Sequence, residues 1–125
     1  MITLDTNILI EHIKGNPVIS TELRFIGLDE LAISPVVAAE LYQGALNKQE
    51  LQVLRTVLTS YCMLPLEAAI GERMLDLLQQ YALSHRLQFP DALIAATALH
   101  HNLPLFTLNR KDFRYIAGLM PHEPT

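Results

Sequence analysis

Four short β-prone runs, at residues 2–4, 31–34, 62–66 and 104–107, are separated by stretches with helical periodicity. That alternation constrains the chain more than any other feature. Strands joined by ten or more helical residues run parallel, because a parallel neighbour cannot be reached through a hairpin. The expected fold class is α/β: a three-layer α/β/α sandwich around a central, mainly parallel sheet of four to five strands. In such sheets ligands sit beyond the carboxyl ends of the strands, where the strand order reverses.

Local signals place the helices. Asp5-Thr6-Asn7 supplies three good N-cap types ahead of Ile8, Leu9, Ile10 and Ile13, which reads as strand, turn, helix. Gly15-Asn16-Pro17 stops that helix and starts another reaching about residue 27, with Asn as cap and Pro at the first helical position. Ser34-Pro35 repeats the arrangement before Val36, Val37, Glu40, Leu41 and Gly44. Leu51, Leu54, Val57 and Leu58 predict a surface helix within 47–60. Ile70, Met74, Leu77, Leu78 and Tyr81 share one face of a long helix over 67–85, as core or dimer contact. Pro90-Asp91 opens a helix over 92–101 whose many alanines suit close approach to the sheet. Asn109 is expected to cap a final turn through Phe113 and Ile116. Neither a repeat nor a Gly/Ser- or Pro-rich linker divides the 125 residues, so one domain over 1–125 is expected.

Composition excludes several classes. With 50% apolar and 18% charged residues the chain is neither disordered nor low-complexity. No apolar run approaches the roughly 20 residues that cross a bilayer, and Asp5 and Glu11 stand where a secretory signal carries basic residues. A cytoplasmic protein with no membrane partner is expected. The single cysteine, Cys62, cannot form an internal disulfide and reads as a small buried hydrophobe in the third strand. The net charge of −4, taken alone, argues against a nucleic-acid partner. Its distribution argues otherwise: residues 1–80 carry net −5 and residues 81–125 net +1. Carboxylates gathered around a divalent cation would be offset locally, leaving the overall sum uninformative.

Four acids fall where such a gathering would form. Asp5 ends the first strand, Glu40 lies about one and a half turns into the helix after the second, Asp91 opens the helix before the fourth, and Asp112 follows the fourth. Each is flanked by apolar sequence that anchors it to the core. Carboxylates held together near low-dielectric surroundings cost several kcal/mol unless protonated or neutralised. A hard divalent ion, Mg²⁺ or Mn²⁺, resolves that conflict and also binds phosphate oxygens. The chemistry indicated is metal-assisted phosphodiester hydrolysis by an activated water.

The residues then resemble a known family. Ile2-Thr-Leu-Asp-Thr-Asn7, Ser34-Pro-Val-Val-Ala-Ala-Glu-Leu-Tyr-Gln-Gly44, Pro90-Asp-Ala-Leu-Ile-Ala-Ala-Thr-Ala-Leu99 and Leu105-Phe-Thr-Leu-Asn-Arg-Lys-Asp-Phe113 resemble, in order, the motifs of PIN-domain ribonucleases of the VapC toxin type. The resemblance implies a PIN-like sandwich and a metal-dependent endoribonuclease of a type II toxin-antitoxin system. It also implies a homodimer, a transfer or ribosomal RNA substrate, and a cognate antitoxin as inhibitor. By position it puts Asp5, Glu40, Asp91 and Asp112 at the metal, with Asp5 and Asp91 as direct ligands. Thr6, Asn7, Thr107 and Asn109 become supporting polar groups, and Arg110, Lys111 and Arg114 candidate RNA contacts. Two departures stand out. Leu108 occupies a position where the family usually has arginine, and residues 115–125, with Gly118, Pro121 and Pro124, carry only a weak signal for the family's fifth strand.

Simpler roles compete for each residue. Asp5 could only cap a helix, Glu40 could face solvent, Asp91 could only favour a helix N-terminus, and Asp112 could pair with Lys111 or Arg114. His100-His101 closes a helix, where imidazoles suit terminal carbonyls and the negative end of the dipole. As whole-protein alternatives, a non-cleaving RNA- or protein-binding PIN-like domain would lack metal affinity. A phosphoryl-transfer receiver would want a second acid beside Asp5 and a lysine at a later strand end, neither of which is present.

Overall fold

The computed structural model describes residues 1–125. In chain order the elements are β1 (Ile2–Leu4), α1 (Thr6–Ile13), α2 (Pro17–Ile26), β2 (Leu31–Ile33), α3 (Pro35–Gln43), α4 (Lys48–Leu58), β3 (Cys62–Met63), α5 (Ala68–His85), α6 (Phe89–His101) and β4 (Leu105–Phe106). Single 3-10 turns cover Leu28–Glu30 and Arg110–Asp112. The sheet has the order β3-β2-β1-β4 and every pairing is parallel. The α/β expectation therefore holds. The chain moves outward from β1 to β2 to β3 and then crosses back over the sheet through α5 and α6 to β4, and α6 packs against both α5 and α3.

The order reverses between β1 and β4, so the carboxyl ends of these two strands flank the switch point. They are locked together there: the Thr3 N–H donates to the Pro104 carbonyl at 3.0 Å and the Asp5 N–H to the Phe106 carbonyl at 2.9 Å. Helix starts follow the local chemistry. Asn16 accepts from the Val18 and Ile19 N–H groups at 3.1 and 3.3 Å, with Pro17 at the first helical position. Ser34 stands at the equivalent place before Pro35 but makes no cap bond, and its hydroxyl is buried without a partner.

The core is one cluster running from Leu4 to Ile116. The alanine-rich helix supplies an unusual share of it: Ala92, Ala95, Ala96 and Ala98 are fully enclosed, and the equally enclosed Thr97 satisfies its hydroxyl on the Leu93 carbonyl at 2.7 Å. Helices α5 and α6 form a tight hairpin, turned by Arg86 in the left-handed region at φ 58°. At the far end of α6, Asn102 adopts φ 54° and returns its N–H to the Ala98 and Leu99 carbonyls.

Three expectations need correction. The third strand covers only Cys62–Met63, and both residues are exposed, because β3 is the sheet's edge and Pro65, which has no N–H, ends the pairing. Cys62 is thus an exposed free thiol rather than a buried hydrophobe. The weak fifth-strand signal is matched by a single parallel bridge between Leu105 and Pro121, made by the Met120 carbonyl and the His122 N–H after Gly118 turns the chain at φ 83°. Asn109 precedes the last 3-10 turn without a side-chain cap bond, and that turn ends at Asp112 rather than continuing helically to Ile116.

Candidate metal centre

Asp5 sits where β1 becomes α1, at the switch point, and is only 5% exposed. Both of its oxygens are engaged. Oδ1 accepts from the Thr6 N–H at 2.8 Å, which is the helix cap, and Oδ2 accepts from the Thr107 hydroxyl at 2.7 Å. The bond that starts α1 also aims the carboxylate across to the end of β4.

Glu40 arrives from α3 on the neighbouring connection, and its Oε1 accepts from the Thr6 hydroxyl at 2.7 Å. Asp91 lies in the first turn of α6 and is partly buried. Asp112 ends the 3-10 turn after β4 and is exposed, with no ion pair to Lys111 or Arg114. Asp5 and Asp91 register the neighbouring acids. Burial raises the Asp5 carboxyl above its ordinary value, with further push from Glu40 and Asp112, against the opposing bonds from Thr107 and Thr6. Asp91 has no such donors. Burial, then Asp5, Asp112 and Glu40, push it up to about 6. Repulsion of this kind is relieved by a proton or by a nearby positive charge.

The supporting polar residues form a small lattice behind the acids. Asn7 donates to the Thr107 hydroxyl at 3.4 Å and accepts from the Leu108 N–H at 3.2 Å, while the Asn109 N–H donates to the Thr107 oxygen at 3.0 Å. Thr107 is the hub. Asn109 contributes its backbone, not its side chain. Leu108, at the arginine position, is 49% exposed on the rim and held there by its own N–H.

The basic residues divide. Arg110 is engaged by the C-terminal segment, donating to the His122 carbonyl at 3.0 Å and pairing with Glu123 at 2.7 Å. Lys111 and Arg114 are exposed and unpaired. The same segment is tied to α2, where buried Glu22 accepts from His122 and from the N–H and hydroxyl of Thr125. Burial alone would raise the Glu22 carboxyl, but these bonds bring it below its ordinary value.

A second group of ligating atoms lies elsewhere. His100 pairs with Glu67 instead of capping α6, and Glu67, His100 and His101 bring one ligand atom each within 4.8 Å of one another. His100 stands nine residues beyond Asp91 on α6, about 14 Å along the helix axis, so the group forms no part of the carboxylate cluster. No helix is long and apolar enough to cross a membrane.

Sequence reasoning missed an aromatic group beside the acids. Tyr81, His85 and Tyr115 pack ring on ring. Tyr81 carried a helical signal and Tyr115 a weak strand signal, and neither points to the other.

Comparison with known proteins agrees with this fold. The family model for the PIN domain matches residues 2–119. Ribonuclease VapC10 of Mycobacterium tuberculosis is 37% identical over 123 residues, covering 97% of this chain and 92% of its own. Among solved structures, a toxin-antitoxin complex from Klebsiella pneumoniae contains a chain 32% identical with a TM-score of 0.82, each chain covered completely. VapBC2 from Rickettsia felis, bound to a DNA fragment from its promoter, superposes with a TM-score of 0.83 at 29% identity, covering 98% of each chain.

Proposed function

The chain belongs to the PIN-domain family, among relatives named VapC ribonucleases, and from that premise we propose that it is a divalent-metal-dependent endoribonuclease toxin acting in the cytoplasm. The observation that carries this reading is the convergence of Asp5, Glu40, Asp91 and Asp112 on the β1/β4 switch point, with Asp91 pushed up to about 6. One PIN unit over residues 1–125 houses the whole site.

The donor set fits the ion. Four carboxylates and no sulfur or imidazole favour Mg²⁺ or Mn²⁺ over softer metals. Asp5 and Asp91 would hold it directly, and Glu40 and Asp112 directly or through water. Bound there, the ion offsets the carboxylate charge, activates water and stabilises charge developing on the phosphate. The protein's own contribution is orientation. Thr107 and the Thr6 N–H fix both oxygens of Asp5, the Thr6 hydroxyl fixes Glu40, and α6 delivers Asp91 from a helix with no room to shift. Lys111 and Arg114, free of partners, receive phosphates of the RNA, a transfer or ribosomal RNA, and Arg110 joins them only if the C-terminal segment releases it.

The partners follow from the same reading. The solved relatives are toxin-antitoxin complexes, and a cognate antitoxin is the inhibitor assigned to this chain. A groove lined by Val18, Phe25, Leu108 and Arg110 runs up to Thr107. Val18 is 75% and Phe25 73% exposed, an apolar edge suited to an antitoxin segment with aliphatic side chains. A homodimer is proposed as the working unit.

The direct test incubates the purified chain with total RNA and Mg²⁺ or Mn²⁺, beside EDTA and the Asp5→Asn variant. Cleavage should require both the metal and Asp5. Metal binding without cleavage of any RNA fraction would leave a non-cleaving binder instead. A subtler variant addresses orientation. Thr107→Val removes the donor to Asp5 while keeping the shape, and should reduce metal affinity or activity roughly 10- to 100-fold. Thr107→Ser should restore most of it, and equal loss in both would mean that the hydroxyl is not what positions Asp5.

A further inference from the structure

Aromatic side chains are scarce in this chain, with no Trp, four Tyr and four Phe, yet two of the tyrosines meet a histidine at one place. The His85 and Tyr115 rings lie nearly parallel, 4.0 Å apart between centroids with 13° between their planes. Tyr81 meets both edge-on, at 5.7 and 5.0 Å, and its hydroxyl accepts from the Ala117 N–H at 3.5 Å. Tyr81 thereby holds the turn that carries Tyr115. The pair above it is flat and outward-facing: Tyr115 is half-buried and His85 exposed.

The location is set by topology. His85 ends α5, and only residues 86–88 separate it from α6, whose first turn carries Asp91. Tyr115 stands three residues beyond Asp112. The stack thus bridges the segments that bring two of the four acids to the rim. The Tyr115 phenol registers them: burial raises it, and the Asp91 and Asp112 carboxylates raise it further. Each ring also has an arginine as its immediate neighbour in sequence, Arg86 and Arg114, both exposed and unpaired.

We infer that the His85–Tyr115 stack is a nucleobase subsite beside the cleavage centre, taking an unpaired base of the RNA on the open face of His85. This rests on the nuclease reading above and adds to it the residues that would take one base of an unpaired segment. The physical case is direct. An exposed imidazole laid flat on a phenol buries little apolar area of its own, but it extends the π-surface on which a base can continue the stack. A base inside a duplex has both faces occupied by its neighbours, so only an unpaired one can use it. Arg86 and Arg114 supply the charge that draws the phosphates on either side, and carry no base preference themselves.

The test uses a fluorescein-labelled 12-nucleotide single-stranded RNA with the full chain carrying Asp91→Asn to prevent cleavage, read by fluorescence anisotropy in Mg²⁺. Adding His85→Leu keeps an apolar cover over Tyr115 but removes the stacking face, and should weaken binding roughly tenfold or more. Adding His85→Tyr should hold binding within about threefold. The same strand annealed to its complement should bind more weakly and be insensitive to residue 85. In the active chain, His85→Leu should raise KM more than it lowers kcat. Equal affinity of the Leu and His forms for the single strand, or no binding of that strand by the chain with His85 intact, would overturn the subsite. The two readings fail separately. Normal metal-dependent cleavage without dependence on residue 85 removes the subsite alone, whereas stacking-dependent binding by a chain that cuts no RNA removes the nuclease and leaves the subsite.

Discussion

Asp91→Asn should abolish RNA cleavage and, in the absence of metal, raise the melting temperature at pH 7.5 by several degrees. Most substitutions at a partly buried position destabilise, so the direction is diagnostic. In the folded chain the Asp91 carboxyl is pushed from 3.8 to about 6, by burial and then by Asp5, Asp112 and Glu40. The folded state therefore holds this proton more tightly than the unfolded one, and folding takes up a proton between those two values. Stability contributed by this group is greatest below pH 3.8 and is lost as pH rises to about 6. At neutral pH the ionised carboxylate costs roughly 2–3 kcal/mol relative to a neutral group, partly offset by its favourable place at a helix N-terminus.

Asparagine has nearly the same shape and no charge, so it escapes that cost above pH 6 and gains nothing below pH 4. The difference between variant and parent should accordingly close as the buffer is acidified. Saturating Mg²⁺ or Mn²⁺ should narrow it from the other side, raising the parent's melting temperature and leaving the variant's nearly unchanged. Melting curves in EDTA at pH 4.5, 6 and 7.5, repeated with metal, measure all of this. A variant no more stable than the parent at pH 7.5 in EDTA would mean that Asp91 bears no such load, and would remove the electrostatic argument for a cation site.

The order of the elements, and the place of each of the four acids along it, are legible because each rests on local chemistry. Asp5 announces itself as a cap, Pro35 and Pro90 mark helix starts, and apolar runs on either side of each acid reveal which core element carries it. Side-chain partnership across the sheet was not legible. The bond from Thr107 to Asp5 joins residues 102 positions apart, and the His85–Tyr115 stack depends on how the α5–α6 hairpin meets the turn after Asp112. Sheet edges are equally hidden from the sequence. Cys62 has the composition of a buried strand residue, but burial depends on having a neighbour on both sides, and β3 has one only on the β2 side. Arg110 reads as a free cation until the C-terminal segment places Glu123 beside it.

The alanines of α6 carry the other large expectation. Ala92, Ala95, Ala96 and Ala98 are enclosed on a helix packed between α5 and α3, in the cluster that also contains Leu4 and Phe106. With so many small side chains the helix touches its surroundings nearly backbone to side chain, so the three extra carbons of a leucine have nowhere to go without moving the axis. Ala95→Leu should destabilise the chain by about 1–3 kcal/mol, lowering the melting temperature by about 5–15 °C. Activity should fall further than stability explains. The same helix delivers Asp91, and a displacement near 1 Å at a reacting centre costs on the order of 100-fold in rate. Cleavage assayed well below the variant's melting temperature separates the two effects, since a chain that is folded but misaligned loses turnover while keeping its circular dichroism. An Ala95→Leu protein that melts and cuts like the parent would mean that α6 is seated loosely, and that the small residues are not what holds Asp91 against Asp5.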